Sequence, residues 1–133
     1  MKRNALFLIS CLIAACIAHQ QVDPRAQEIH SIERTVISAD SAFAAYYIVK
    51  SNAIIESIKK ENGTSEDYVK RIKELNAQQE YISSLLKEIK YLLKIINTEI
   101  KNQNKVSNYM LRLRKLNSKL ANFVLGLDLK VYL

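Results

Sequence analysis

Hydrophobic residues recur along most of the chain at alternating steps of three and four, which is typical of helices that pack side by side. The first run takes steps of 3, 4, 3, 4 and 3. Its members are Ile29, Ile32, Val36, Ala39, Phe43 and Tyr46. Before it, Asp23 can cap a helix and Pro24 suits a first helical position, where no N–H is needed. The pattern therefore predicts a first helix from Pro24 to about Lys60.

A second run follows the polar segment 62–65, in which Gly63 is expected to take the left-handed conformation that ends a helix. Thr64 or Ser65 is expected to cap the next helix. The second run takes steps of 4, 3, 4, 3, 4, 3 and 4. Its members are Leu75, Gln79, Ile82, Leu86, Ile89, Leu93, Ile96 and Ile100, with Leu85 and Leu92 beside them. The added width predicts a helix that contacts more than one neighbour.

The spacing is lost at the polar segment 101–105, where no glycine or proline marks a turn. Either the chain turns here, or one helix continues with a register break that rotates its apolar face. We favour a turn, because a continuous helix from Ser65 to Leu125 would be about 90 Å long and the first helix could not pair with its far third. A third run predicts a helix that ends at Gly126. Its members are Val106, Met110, Leu113, Leu116, Leu120, Phe123 and Val124.

The three runs predict an all-α fold over residues 23–126, either an antiparallel helical hairpin or a three-helix bundle with coiled-coil-like packing. Composition supports this class, since the chain has only 2 glycines among 133 residues. That number excludes a glycine-rich phosphate loop and leaves little turn chemistry for an all-β fold. Residues 127–133 form an apolar tail whose spacing is closer to that of a strand. We expect this tail to fold on the bundle surface rather than to be offered as a strand to a partner.

The start of the chain has the pattern of an export signal, with a basic stretch over residues 1–4 and an apolar run over residues 5–15. The run is about half of the ~20 apolar residues that a spanning helix needs. Ile13-Ala14-Ala15-Cys16 resembles the bacterial lipobox. The resemblance implies that the signal peptide 1–15 is removed, that Cys16 is lipidated, with acyl chains such as palmitate, and that residues 16–22 are a tether. The alternative is an ordinary secretory signal that is cut after Ala15 or Ala18.

Candidate catalytic groups are few. His19 and His30 stand eleven residues apart without the cysteine, histidine or carboxylate companions of a metal site. The sequence contains no Walker loop, no G-x-S-x-G elbow, no H-E-x-x-H and no C-x-x-C motif. We therefore expect a protein that is not an enzyme and that needs no metal or cofactor.

The excess of positive charge lies near the C-terminal end of the chain. Residues 16–100 carry 11 basic and 12 acidic side chains, whereas residues 101–133 carry 7 basic and 1 acidic. On a continuous helix, eight basic residues would share an arc of roughly 80°, and a turn near residue 102 would divide them into two shorter stripes. This basic stripe comprises Lys87, Lys90, Lys94, Lys101, Lys105, Arg112, Lys115 and Lys119. It suits anionic lipid headgroups or an acidic partner, or else it is only a solvated face.

A nucleic-acid partner is not expected, because an exported protein meets little nucleic acid and no aromatic residues alternate with the basic ones as a stacking platform requires. The wide apolar stripe on the second helix leaves self-association open. Contact with a partner is expected through the basic C-terminal third and the apolar tail.

The lipobox, the abundance of Lys, Ile and Asn, and the small helical domain resemble the plasmid- or prophage-encoded lipoproteins of Borrelia spirochaetes. Within that group, Cys16-Ile17-Ala18 followed by Asp23-Pro24 and a helical body resembles the Bly-type haemolysin accessory proteins. The resemblance implies a lipid-anchored accessory factor, exported to the cell membrane or outer membrane, that accompanies a small membrane-active, holin-like protein. The alternative is a surface-exposed lipoprotein that binds a host molecule.

Overall fold

The computed structural model describes residues 23–127, which form three α-helices joined by two short turns. The helices are α1 (Pro24–Lys60), α2 (Ser65–Lys101) and α3 (Ser107–Gly126). Within the described residues there is no strand, so the predicted all-α class is confirmed. The chain turns between α2 and α3, as favoured above. The signal peptide 1–15, the lipidation site Cys16, the tether 16–22 and residues 128–133 of the tail lie outside the described residues.

The chain comprises two compact units, of which the first ends at Ser31 and contains the start of α1. The carboxylate of Asp23 accepts a hydrogen bond from the backbone N–H of Arg25 at 2.9 Å. The carbonyl of Asp23 accepts another from Ala26 at 2.9 Å, which confirms the predicted helix start. The Arg25 guanidinium also binds the Asp23 carboxylate, and these hydrogen bonds lower the pKa of Asp23.

The second unit begins at Ile32 and contains a three-helix bundle. Its core is built from the predicted apolar runs. The largest fully buried side chains come from α2 and α3, namely Ile82, Ile89, Ile96, Leu113 and Leu120, and the small side chain of Ala42 on α1 is also fully buried. From α1 the buried side chains are Ile32, Val36, Ala39, Ala42, Phe43, Tyr46 and Ile58. The steps of three and four therefore located the faces that pack against each other.

Helix α2 contacts both of the other helices, as its wide apolar stripe predicted, and α1 also meets α3, since the ring centres of Phe43 and Phe123 are 6.1 Å apart. Helix α2 is tied to α1 by the hydroxyl of Tyr47, which donates to the side-chain oxygen of Asn76 at 2.8 Å. It also packs along α3, and Leu85 and Leu92 are buried. The prediction that Gln79 lies in the apolar stripe was wrong, because its side chain is exposed.

The neighbour of Gln79, Gln78, lies closer to α1 and meets the hydroxyl of Tyr46 at 3.5 Å. A straight helix drifts relative to a strict seven-residue repeat, so the contact shifts by one position at this end of the pattern.

Both turns end their helices in the same way, with a residue in the left-handed region. Asn62 has φ 54° and Gln103 has φ 59°. After each of them, the next N–H reaches back to the helix: Gly63 donates to the Ile58 carbonyl at 2.8 Å, and Asn104 donates to the Glu99 carbonyl at 2.9 Å. These are Schellman motifs, which satisfy carbonyl groups at the end of a helix. The expectation that Gly63 takes the left-handed conformation was wrong, because Asn62 occupies that position.

Gly63 is needed for space rather than for a positive φ. A Cβ at this position would lie 2.8 Å from Cγ2 of Ile58 and 3.2 Å from Oδ2 of Asp67. The next residue, Thr64, forms a capping box with Asp67, in which each side chain binds the backbone N–H of the other residue. The hydrogen bonds from Thr64 lower the pKa of Asp67. The first turn is therefore fixed by close packing and by the start of α2.

Candidate interaction surfaces

The basic stripe is exposed along its whole length, but the turn at residues 102–106 divides it between α2 and α3. Two of its eight members are paired with acidic residues. Lys90 lies 3.0 Å from the Asp40 carboxylate on α1, and Nε of Arg112 lies 2.9 Å from the Glu88 carboxylate on α2. Within residues 23–127, no ion pair is formed by the other six members.

A long groove runs between α1 and α2 on the side that faces away from α3. Two adjoining pockets, of about 260 and 590 Å³, share Tyr47 and together form this outer groove. Its apolar lining includes Ala44, Ile48, Val69 and Ile72, and polar or charged side chains lie among them, namely Asp40, Tyr47, Lys73, Asn76, Gln79, Glu80 and Ser83. Its rim exposes apolar surface, since Ile48 is 59% and Val69 is 65% exposed. The outer groove therefore presents apolar surface to solvent between the antiparallel helices α1 and α2.

The outer face of α1 continues this apolar surface. Counting from Ile37, positions spaced by 4, 3, 4, 3 and 4 carry only apolar or small polar side chains. They are Ile37, Ser41, Ala44, Ile48, Ser51 and Ile55. Ile37 is 66% exposed. Sequence reasoning missed this second stripe because it followed only the stripe that forms the core, although the same spacing would have revealed it.

A second groove, the end groove, lies at the other side of the α1–α2 hairpin, near the first turn. It has a volume of about 210 Å³. It is lined by Tyr46, Lys50, Ile54, Arg71, Glu74, Leu75 and Gln78. The ammonium group of Lys50 lies 5.6 Å from the centre of the Tyr46 ring, within cation–π range. The end groove therefore combines apolar and charged side chains of both signs.

Arg71 at the edge of the end groove ties α2 to the end of α1. Its guanidinium binds the carboxylate of Glu61 and also the hydroxyl of Ser57, the latter at 3.0 Å. The hydrogen bonds from Arg71 and then Ser57 lower the pKa of Glu61, and Glu61 in turn raises the pKa of Arg71. This network holds the hairpin closed where few apolar side chains are buried.

The remaining predicted groups do not converge. His30 is exposed on α1, and His19 lies outside the described residues. Among residues 23–127, no three His, Cys, Asp or Glu side chains are grouped so that they would hold a metal ion. None of the three helices combines the length and the apolar character that crossing a membrane requires.

Comparison with known proteins returns no relative. No family model matches the chain, and neither a curated protein nor a solved structure matches it.

Proposed function

We propose that this chain is a lipid-anchored helical protein that acts by binding another protein and not by catalysis. Cys16 would carry the anchor, since two or three acyl chains hold a protein on a membrane far better than one. The helical bundle would then present its surfaces to partners at that membrane. The resemblance to the Bly-type accessory proteins makes a small membrane-active, holin-like protein the first partner to test.

The observation that supports a protein partner is the exposed apolar surface of the outer groove. Contiguous apolar surface on a soluble domain marks interaction sites more often than isolated exposed residues do. The groove lies between two helices, its apolar members Ala44 and Ile48 are four residues apart on α1, and Ile37 continues their helical spacing beyond the groove. Such a surface accepts an amphipathic helix whose apolar face contacts both walls. A helix of the partner is therefore the proposed occupant.

The test is co-purification of the holin-like protein from membranes in which both proteins are produced, with the anchor of this chain retained. Ile48→Glu places a charge in the groove and should reduce recovery of the partner by at least about tenfold. Leu111→Glu is the matched control, because Leu111 is 67% exposed on α3, away from the groove. Recovery that is equal for the two variants would refute this site, and failure of the unaltered chain to recover the partner would refute this partner.

The anchor is tested separately. The protein should incorporate labelled fatty acid, and Cys16→Ala should abolish that incorporation and release the protein from membranes. Protease accessibility on intact cells then distinguishes the two locations. Protection favours the accessory protein, whereas digestion favours the alternative, a surface-exposed lipoprotein that binds a host molecule.

The basic stripe supports an additional contact with anionic lipid headgroups. Six of its members are exposed and form no ion pair within the described residues. A basic residue near a membrane that contains anionic lipid contributes about 1 kcal/mol to binding. Binding of the protein to vesicles should therefore increase with anionic lipid and decrease with salt. If neither changes binding, the stripe has no role at the headgroups.

A further inference from the structure

Helix α3 ends before the α1–α2 hairpin does. It has 20 residues, whereas α1 and α2 have 37 each. Near its start Arg112 contacts Glu88, and near its end Phe123 lies 5.1 Å from the ring of Tyr81. Helix α3 therefore runs antiparallel to α2, and its last turn lies close to Gln78.

The face of α2 that contacts α3 continues past that end. Tyr81, Leu85 and Glu88 are spaced by four and three, and the same spacing leads back to Gln78 and Glu74. These last two side chains line the end groove. The end groove thus extends the path of α3 along the hairpin, from Gln78 toward the first turn.

We propose that residues 128–133 of this same chain occupy the end groove. They follow directly on Leu127, the last described residue, which comes just after the end of α3 at Gly126. The groove extends along α2 from Gln78 to Arg71, which is about 10 Å at the helical rise per residue. Six residues span about 9 Å as a helix and about 20 Å when extended, so the groove is within reach in either conformation.

The chemistry of the segment matches that of the groove. Its apolar residues are Leu129, Val131, Tyr132 and Leu133, and the apolar lining comprises Tyr46, Ile54 and Leu75. Its two charges are Asp128 and Lys130, and the groove offers Lys50 and Glu74 as partners of opposite sign. A free end groove would leave an apolar surface and both charges exposed to water. The proposal concerns this chain alone and is independent of the protein partner proposed above.

Photo-cross-linking in the full-length, membrane-anchored protein tests the location. Tyr132→p-benzoylphenylalanine should cross-link within the same chain, to residues of the end groove between 46 and 54 or between 71 and 78. The same substitution at Tyr91, which is 64% exposed on α2, is the control and should give no such product. Cross-links from position 132 only to other chains, or to the outer groove at Val69, would overturn the proposal.

A charge exchange tests the contact itself, with amide hydrogen exchange of residues 128–133 as the measurement. In the unaltered protein these amides should exchange at least about tenfold more slowly than in an unfolded chain. Glu74→Lys should abolish the protection, and Glu74→Lys combined with Lys130→Glu should restore it. Glu80→Lys, on the outer groove, is the matched control and should leave it unchanged. Exchange at the unfolded rate in the unaltered protein would refute the proposal, as would protection that Glu74→Lys does not reduce.

Discussion

Replacing Gln103 by glycine should stabilise the bundle. Gln103 has φ 59°, a left-handed conformation that costs a residue other than glycine about 1–2 kcal/mol. Glycine avoids that cost, but it also makes the unfolded chain more flexible, which offsets about 0.4–1 kcal/mol. The side chain of Gln103 is exposed, so its removal costs little packing. The backbone hydrogen bond from Gln103 to Ile100, 3.0 Å long, stays in place. We expect Gln103→Gly to raise the free energy of unfolding by about 0.5–1 kcal/mol.

The neighbouring position provides the control for this prediction. Asn102 is equally exposed but has φ −84°, which any residue adopts without strain. Asn102→Gly should therefore lower the free energy of unfolding by about 0.4–1 kcal/mol, through the unfolded state alone. Urea unfolding followed by circular dichroism at constant pH measures both variants, with an unchanged dependence on urea as a check of two-state behaviour. If the two substitutions change stability in the same direction, the argument from backbone strain is wrong.

Three further predictions address the core, the first turn and pH. Leu113→Ala, at a fully buried position, should cost about 2–5 kcal/mol in urea unfolding, whereas Leu111→Ala should change stability by less than about 0.5 kcal/mol. Gly63→Ala should lower the free energy of unfolding by about 1–3 kcal/mol, because the new Cβ has no room. Gly126→Ala should raise it by up to about 1 kcal/mol, because a Cβ there meets nothing within 4 Å. Equal effects of the two substitutions would contradict this prediction. The folded-state pKa of Glu61 is lowered, so its stabilising contribution is present above its ordinary pKa of 4.5 and is lost as the pH falls through the folded pKa. The stability difference between the parent and Glu61→Gln should therefore shrink in acid, and a constant difference would contradict the role of this carboxylate.

The core was predictable from sequence because helices that pack side by side impose a spacing that apolar residues must follow. The runs that begin at Ile29, Leu75 and Val106 located the packing faces of all three helices, and the ends of α1 and α3 were predicted at Lys60 and Gly126. The exception was Gln79, where the contact had already shifted to a neighbouring position.

The details of the turns were less predictable, because the hydrogen bonds that end a helix decide which residue becomes left-handed. At the first turn this is Asn62 although Gly63 is adjacent, and at the second it is Gln103, a residue type that gives no turn signal. The need to satisfy the last carbonyl groups outweighs the preference of the side chain. This is why the sequence left a continuous second helix open as an alternative.

The two grooves differ in how far the sequence could have located them. The outer groove follows from the second stripe on α1, which is visible in the spacing of Ile37, Ala44 and Ile48. The end groove depends on where α3 stops relative to the hairpin. That relation is set by the contact of Phe123 with Tyr81, which joins residues 42 positions apart and leaves no trace in local spacing.

The unequal helix lengths also determine where the bundle is easiest to open. Between residues 65 and 78, helix α2 buries only Ile72 and Leu75, whereas it buries seven side chains between residues 79 and 96. Local unfolding requires least free energy where few apolar contacts are lost. The hairpin end should therefore fray first, and a protease such as trypsin should cut the folded protein after Lys59, Lys60 or Lys70 well before it reaches the lysines beside α3.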